Sequence, residues 1–326
     1  MTASPAATGD GGRLAVVLGP SDDLRAEIFV RGWPPRGVGA VRLGGTLTGP
    51  RCRWASTLPV VVRLASAAAA SDAALARAVL TEPSYWTPEL PNLYRLEANL
   101  VDGERTLATF DLPVGLRRLG VRGRSFWLDG RRWVPRGIGL AAGACRLSLL
   151  REGSLAAAVV DPELELCAEA DEIGVPIIGL LPESGDAANP GEALARITAW
   201  APHPSVVLAV MPLGAGTALA AAVGAAIRPV QGTLLLGQAV DGSLPPPTHV
   251  AEGVACLVVR LAANVLPDGA WRARAPKLPL VAWREDGGDA TTGRRGCDRL
   301  QAELAAWGLA DGAAHPAWEW AGYVVS

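Results

Sequence analysis

Apolar and polar positions alternate over short stretches of the first third of the chain, from Arg13 to about Leu119. The apolar runs are RLAVVL, LRAEIFV, LPVVVRL, LYRLEANL and TLATFDLPV, and Gly, Pro and Asp separate them. This pattern is typical of antiparallel strands in a small sandwich. We therefore predict a disordered tail over residues 1–12 and a β-sandwich over residues 13–120. The alanine-rich stretch ASAAAASDAALARA, from Ala65, is predicted to be a loop or a helical turn.

After Leu119 the pattern changes to continuous apolar runs that alternate with segments of helical period. The predicted strands are WVPRGIGL, CRLSLL, VPIIGLLP, VVLAVM, TLLLGQAV, CLVVRLAANV, LPLVAW and WAGYVVS. Such alternation indicates parallel strands that are buried on both faces. Eight of them predict a reduced (β/α)8 TIM-type barrel over residues 121–326, with functional residues at the C-terminal ends of the strands. The segment is short for this fold, so we expect some outer helices to be reduced or missing.

Composition excludes several partners. The 326 residues are 50% hydrophobic and carry a net charge of -2, which gives no broad positive field for nucleic acid or an anionic membrane. An uncharged stretch from Pro204 to Ile227 is long enough to cross a bilayer. Its first half is strand-like, and the glycines of LGAG interrupt it before a helical segment, so we predict a buried strand and helix instead.

The five cysteines are Cys52, Cys145, Cys167, Cys256 and Cys297, and they form no CxxC pair. With three histidines in the chain, this spacing predicts neither a metal site nor a cofactor, and indicates buried thiols in a reducing compartment. The N-terminal sequence MTASPAATGDGG has neither the basic start nor the apolar run of a secretory signal. We therefore expect a cytoplasmic protein.

Four segments, in order along the chain, resemble glycoside hydrolase family two, the group of β-galactosidases, β-glucuronidases and β-mannosidases. YWTPELPNLYRLEANLVDG is similar to the family's W-x-P-x-x-P-x-L-Y signature, and FWLDGRRWVPRGIG is similar to F-x-L-N-G-K-x-x-x-x-R-G, which opens its barrel. ELCAEADEIGVPIIGLLPE resembles Y-x-x-C-D-E-x-G-I-x-V-x-x-E, and HPSVVL matches the lead into the strand that bears the general acid. The resemblance implies an immunoglobulin-like sandwich before a barrel. We expect no counterpart of the family's N-terminal jelly-roll sugar domain.

The resemblance also implies that the general acid has been replaced. A retaining glycosidase needs two carboxylates about 5 Å apart, one as acid and one as nucleophile. In the family, HPSV is followed by x-x-W-S-x-G-N-E. Counting from His203 places Ala209 at the Trp position and Leu213 and Gly214 at the Asn-Glu position. The fourth barrel strand is therefore expected to be present without its proton donor.

Other positions that the resemblance identifies are also apolar or small. Where the family carries Asn and His after the barrel-opening Arg-Gly, this chain continues IGLAAG. The family's R-x-S-H on the second strand corresponds to RLSLL, with Leu149 at the imidazole position. The aromatic residue of the closing strand falls on Val325 or Ser326.

Two carboxylates remain as candidates. LPLVAWREDGG resembles the family's K-P-x-x-x-S-E-Y-G, with Glu285 at the nucleophile position after a one-residue shift; the alternative is a solvated side chain beside Asp286. Glu183, in LLPESG, ends a predicted third strand and matches a family carboxylate near the site; the alternative is a helix-capping or surface residue. Glu183 and Trp283 are the candidate substrate-binding residues.

Aromatic and polar residues elsewhere have both structural and functional interpretations. Like Trp283, three other tryptophans could stack on a sugar or simply fill the core: Trp307, Trp318 and Trp320. Asp171 and Glu172 are predicted to be exposed packing residues, and His203 to be a hydrogen-bonded loop anchor. His249 and His315 have no ligand-type neighbours at metal spacing.

Two functions from different classes remain, and a third is weaker. The first is a non-catalytic binding or scaffold protein, with a carbohydrate or protein partner and possible homo-oligomers. The alternative is an active retaining O-glycosyl hydrolase that uses Glu285 and an acid from elsewhere, either Glu183 or a partner chain. The third is dinucleotide binding, because Gly214-x-Gly216 follows a strand and Asp241 ends the next one. Leu219 at the third glycine position argues against it.

Overall fold

The computed structural model describes most of the chain. The described residues are 7–9, 12–35, 41–67, 73–141, 144–183, 189–215, 217–227, 234–274, 276–287, 289–309 and 320–326. Trp318, His315 and Gly216, which the sequence singled out, lie outside them.

Two antiparallel sheets form the N-terminal part. One runs in the order β1 (Ala7–Gly9), β2 (Gly12–Ser21), β3 (Arg25–Trp33), β7 (Ala74–Thr81) and β6 (Ala65–Ala67). The other runs β5 (Val60–Arg63), β4 (Arg42–Arg51), β8 (Leu93–Asp102) and β9 (Arg105–Val114). Because β1 pairs with β2, part of the predicted disordered tail 1–12 is a strand.

Alternating side chains of these sheets make one apolar core, which includes Leu14, Ile28, Leu47 and Leu96. The prediction of a loop or helical turn in the alanine-rich stretch was wrong in its described part, which forms β6 and β7. In β7, Ala74, Ala76, Ala78 and Leu80 are buried and the residues between them are partly exposed. This period of two matches a strand, and burial of one face outweighs the helix preference of alanine.

A three-stranded sheet follows: β10 (Leu119–Arg122), β11 (Ser125–Leu128) and β12 (Arg131–Trp133). The predicted division between domains at residue 120 falls inside β10. Phe126 and Leu128 of this sheet belong to the same core cluster as Ala156, Val207 and Cys256, which lie at or near the start of barrel strands. The sheet therefore closes the N-terminal end of the barrel.

Eight parallel strands close into a barrel, as the sequence predicted. They are β13 (Arg136–Leu140), β14 (Ala156–Val160), β15 (Ile177–Leu180), β16 (Val206–Met211), β17 (Leu235–Asp241), β18 (Cys256–Leu261), β19 (Leu280–Arg284) and β20 (Trp320–Val325). The helices among the described residues are α1 (Leu147–Glu152), α2 (Leu164–Ile173), α3 (Pro190–Trp200), α4 (Thr217–Ile227), α5 (Ala270–Arg274) and α6 (Gly293–Leu309). The closed barrel also excludes the open sheet that a dinucleotide-binding unit requires.

The outer layer is reduced, and one strand was placed wrongly. Residues 242–255, between β17 and β18, are all described and contain no helix, and α5 has a single turn. CRLSLL is not the second strand: its Leu147 to Leu150 lie in α1, and the strand is Ala156–Val160. Helical spacing of Leu147 and Leu150 buries both on one face, which a short apolar run does not reveal.

Hydrogen bonds fix the sandwich to the barrel. Trp86 Nε1 donates to the Asp171 carbonyl at 2.8 Å, and Arg117 Nη1 donates to the carbonyls of Val206, at 2.9 Å, and Pro204. The prediction that Asp171 is exposed was wrong, since its carboxylate is buried and accepts from Ser205 N–H at 2.8 Å.

His203 is a hydrogen-bonded anchor, as predicted, because its Nδ1 lies 2.7 Å from Asp171 Oδ2. Glu172, the neighbour of Asp171, is exposed. Gly174 ends α2 with φ +86°, a conformation that favours glycine, and so places Asp171 in the last helical turn.

The cysteines are free thiols, and three of the five are buried: Cys167, Cys256 and Cys297. Burial raises the pKa of the Cys256 thiol to about 12. Cys52 and Cys145 are only partly buried, which corrects the expectation for those two. None of the described helices has the length and apolarity needed to cross a bilayer.

Candidate functional site

A cavity of about 530 Å³ opens at the C-terminal end of the barrel strands. Most of its wall is apolar and comes from the ends of the first four strands and the residues after them: Leu140, Ala158, Val160, Leu180, Leu181, Val210, Met211, Pro212 and Leu213. The polar lining residues are Glu183, Arg260, Trp283, Glu285 and Ser326. Four of these five belong to β18, β19 and β20 or come directly after them, so the polar groups gather on one side.

Strand alternation directs Glu285 towards this cavity. Val281 and Trp283 of β19 belong to the core cluster inside the barrel, whereas Leu280 and Ala282 pack on the outer side. With a period of two, Glu285 continues the inward series one residue beyond the strand. Its side chain remains 60% exposed, as expected at the open end of a barrel.

Arg260 reaches the same point from β18. Its Nη2 donates to Glu285 Oε1 at 3.1 Å, and its guanidinium lies 4.3 Å from the centre of the Trp283 ring. The indole Nε1 of Trp283 donates in turn to Ser326 Oγ at 2.9 Å. These four side chains form a continuous set of contacts, which we call the rim cluster: Arg260, Trp283, Glu285 and Ser326.

A buried ion pair holds the loop that carries Glu285. Arg284, only 1% exposed, contacts Asp286 at 2.6 Å and also hydrogen-bonds Glu303 of α6. Burial disfavours its charge, but the hydrogen bonds to Glu303 and Asp286 outweigh this and hold the pKa of Arg284 above its ordinary value. The Glu285 N–H donates to the Leu261 carbonyl at 3.1 Å. The backbone position of Glu285 is therefore fixed, although its side chain is exposed.

The end of the fourth strand offers no proton donor. Val210, Met211, Pro212 and Leu213 line the cavity there, and Leu213 is 47% exposed. Gly214 has φ +85°, and a Cβ at this position would meet no atom within 4 Å. The residues that the resemblance places at the Asn-Glu position, Leu213 and Gly214, are therefore an apolar side chain and a glycine beside open space.

Glu183 lies on the far side of the same cavity. It follows β15, the third barrel strand, and Glu285 follows β19, the seventh, so the two carboxylates come from opposite sides of the eight-stranded barrel. Glu183 is exposed. The structure thus brings both predicted carboxylates to one cavity, without placing either at the end of β16.

Other predicted positions lie elsewhere. Leu149 is in α1, and Val160 occupies the cavity end of the second strand, which is still apolar. Ala209 is fully buried. Trp283 is 2% exposed and acts as a wall of the barrel interior, and Trp307 and Trp320 are core residues.

Asp241 accepts hydrogen bonds from the N–H and Oγ of Ser243, which is a turn contact within the chain rather than a ligand position. Among the described residues, no three His, Cys, Asp or Glu side chains are grouped so as to hold a metal ion.

Sequence reasoning missed Arg260 and underestimated Ser326. The signal for Arg260 was a single charge inside the apolar strand CLVVRL, at an inward position two residues after Val258. Ser326 was considered only as a replacement for an aromatic residue, although its hydroxyl oxygen accepts the hydrogen bond from Trp283 Nε1.

These features define a (β/α)8 barrel with a one-sided polar cavity at its C-terminal end, preceded by a β-sandwich. Comparison with known families agrees: the family model of glycosyl hydrolases family 2 matches residues 57–117. This segment contains the YWTPELPNLY motif, so the resemblance to glycoside hydrolase family two is confirmed there in sequence. No curated protein matches the chain significantly.

Solved structures extend the resemblance to the fold. A β-glucuronidase from Bacteroides uniformis matches with a TM-score of 0.67 at 15% identity, over 96% of this chain and 45% of that one. A putative β-galactosidase from Bacteroides fragilis gives 0.64 at 14% identity, over 95% and 54%. A β-glycosidase from Bacteroides vulgatus gives 0.62 at 15% identity, over 82% and 37%. The chain therefore has the fold of these proteins and spans about half of their length or less.

Proposed function

We propose that this chain is a member of the glycoside hydrolase family two lineage that binds a carbohydrate in its barrel cavity without hydrolysing it, in a binding or scaffold role. The observation that carries this proposal is the end of β16. The resemblance places the general acid at Gly214, which has no side chain, and the residues before it that line the cavity are Met211, Pro212 and Leu213. None of these side chains has a proton to give. General acid catalysis contributes about 10²- to 10⁴-fold in rate, so its loss removes most turnover of substrates with poor leaving groups.

The rim cluster supports binding. Arg260 and Glu285 present hydrogen-bond donors and acceptors at an open mouth, and their mutual contact fixes their geometry. The apolar wall from Val160 to Leu213 faces this polar side. A sugar ring has both hydroxyl groups and apolar C–H faces, which suits a cavity with one polar and one apolar side.

A second candidate function rests on a different observation. Glu183 and Glu285 line one cavity from opposite sides, so a substrate between them would meet two carboxylates. In this case Glu285 is the nucleophile and Glu183 protonates the leaving oxygen, as retaining hydrolysis requires. Hydrolysis of this kind needs Glu183 to take over the role of the acid that is missing from β16.

Binding and adduct formation separate the two candidates. We would titrate the chain with glucose, galactose, mannose and glucuronate by calorimetry, and incubate it with the corresponding nitrophenyl β-glycosides while monitoring intact mass. Binding without sustained product release supports the first proposal. Sustained release that both Glu183→Gln and Glu285→Gln abolish would establish the second.

A matched control tests the rim cluster itself. Glu285→Gln should weaken the binding of whichever sugar binds. The replacement removes the carboxylate charge, which weakens the contact with Arg260 that fixes the geometry of both side chains. Glu104→Gln, at an exposed turn of the sandwich, should not weaken binding. Unchanged affinity in Glu285→Gln would overturn the assignment of the binding site to this cavity.

A further inference from the structure

A second cavity, of about 340 Å³, lies near the opposite end of the barrel. It opens where the β10–β12 sheet meets the edge of β2, and its volume is within the range of small-molecule sites. Its charged and aromatic lining residues are Arg117, Arg118, Arg122 and Trp127. None of them belongs to the barrel cavity, so a ligand bound here would be independent of the function proposed for that cavity.

This region is strongly basic in a chain whose net charge is -2. Residues 117–136 contain seven arginines and one aspartate. Of the arginines that line the cavity, Arg118 is paired with Asp23 and lies 3.8 Å from Asp129. Arg122 is exposed, and its guanidinium lies 4.6 Å from the centre of the Trp127 ring. The walls therefore retain surplus positive charge.

Arg117 adds a buried cation to these walls. It is 3% exposed, and its Nη1 is bound by carbonyl oxygens. Its Nε–H is buried and has no hydrogen-bond partner among the described residues. Burial lowers the pKa of Arg117 to about 9, and the charge of Asp171 opposes this only in part. A buried cation with an unused donor is costly, and an anion nearby would offset that cost.

Open space lies beside the indole of Trp127. Gly120 of β10 is directly opposite Trp127 of β11 in the sheet register. A Cβ at Gly120 would meet no atom within 4 Å, so the absence of a side chain there leaves room for a ring. Trp127 is partly exposed, and its indole offers an apolar surface for such a ring.

We propose that this cavity binds an oxyanion carried on a ring, in the form of a sugar acid or a sugar phosphate. Arg122 hydrogen-bonds the oxyanion, the buried charge of Arg117 attracts it, and Trp127 contacts the ring. Guanidinium groups match carboxylate and phosphate oxygens because their N–H donors form a planar fork. The surplus charge supplies affinity for the anion, and the space beside Gly120 supplies selectivity for the ring.

Calorimetric titration of the whole chain with four compounds tests the proposal. Glucuronate and glucose 6-phosphate represent the two sources of a ring-borne oxyanion. Glucose lacks the oxyanion, and inorganic phosphate lacks the ring. At least one ring-borne oxyanion should bind about tenfold or more tightly than both glucose and inorganic phosphate. The absence of any binding, or equal affinity for glucose or for inorganic phosphate, would overturn it.

Variants locate the binding. Arg122→Met should weaken it about tenfold to a hundredfold, since one charge-assisted hydrogen bond is lost. Gly120→Leu keeps every charge but fills the space, and should abolish binding. Arg63→Met, an exposed arginine on β5, should bind as the parent chain does. Binding that persists unchanged in both Arg122→Met and Gly120→Leu would place the ligand elsewhere and overturn the proposal.

Discussion

Arg260 and Glu285 form an ion pair at the mouth of the barrel, with 3.1 Å between Nη2 and Oε1. One residue before Glu285, Arg284 points to the other side of the strand and forms a buried pair with Asp286 at 2.6 Å. The two arginines are thus neighbours in space with opposite environments. The first is available to a ligand, and the second holds the loop.

Replacing these two arginines should have very different effects on stability. Arg260→Met should change the free energy of unfolding by no more than about 1 kcal/mol, because exposed ion pairs contribute little. Arg284→Met should cost about 3 kcal/mol, because buried Asp286 loses its 2.6 Å partner and keeps only the exposed Arg299, at 3.5 Å. Urea denaturation measures both. Equal costs would contradict the assignment of a ligand-accessible and a structural arginine.

Asp171 should be important for the junction between sandwich and barrel. Asp171→Ala leaves the buried Ser205 N–H without its 2.8 Å acceptor and removes the partner of His203, so it should destabilise the fold by about 1–3 kcal/mol. The matched control is Glu172→Ala. Glu172 is the next residue in the chain and its side chain is exposed, so the replacement should change the free energy of unfolding by no more than about 0.5 kcal/mol. Chemical denaturation distinguishes them, and equal costs would show that Asp171 is not the anchor.

The close packing around Trp283 depends on a glycine. A Cβ at Gly139 would lie 2.5 Å from the Ser326 Cβ and 3.0 Å from Trp283 Cζ2. Gly139→Ala should therefore cost about 1–3 kcal/mol through overpacking, as measured by urea denaturation. Gly44→Ala, on a strand where a Cβ meets nothing within 4 Å, is the control and should be close to neutral. A neutral Gly139→Ala would mean that Trp283 is not held as described.

The turn before α6 should depend on pH through Asp289. Hydrogen bonds from Thr291 and Thr292 lower the pKa of Asp289 to about 2. A carboxylate with a lowered pKa stabilises the fold above its unfolded-state pKa of about 3.9, and this contribution is lost as the pH falls towards 2. The melting temperature of Asp289→Ala should therefore be below that of the parent chain at pH 7, and the difference should shrink between pH 4 and pH 2.

Thr291→Val provides the second measurement for this turn. It removes the Oγ1–H donor at 2.6 Å, so the pKa of Asp289, measured by NMR titration, should rise towards the ordinary value. An unchanged pKa would show that the Thr291 hydroxyl does not stabilise the carboxylate.

Patterning predicted the eight barrel strands with one exception, because strands buried on both faces give continuous apolar runs. The exception was the second strand, whose sequence AAAVV is small and follows an apolar helix, so CRLSLL was the more strand-like of the two. The strand β4, RLGGTLTGPR, was not predicted because its glycines are typical of turns. In both cases the segment forms a strand because it pairs with neighbouring strands. The sequence of one segment does not reveal which other segments it pairs with.

The residues of the candidate site could be predicted only at positions that the resemblance to glycoside hydrolase family two identified. The resemblance directed attention to Glu285, Glu183 and the end of β16, and the structure brings all three to one cavity. It gave no indication of Arg260, because the contact with Glu285 joins side chains 25 residues apart on adjacent strands. The burial of Asp171 was missed for a similar reason, since its partners lie on the segment before β16.

The central claim is that the described end of β16 supplies no general acid to the barrel cavity, and the dependence of turnover on the leaving group tests it most directly. Nitrophenyl β-glycosides need little protonation to depart, whereas methyl β-glycosides depart poorly without an acid. We expect no measurable turnover of the methyl glycosides, and at most a burst that stalls as a covalent Glu285 adduct with the nitrophenyl glycosides. Sustained hydrolysis of both at comparable rates would contradict the account.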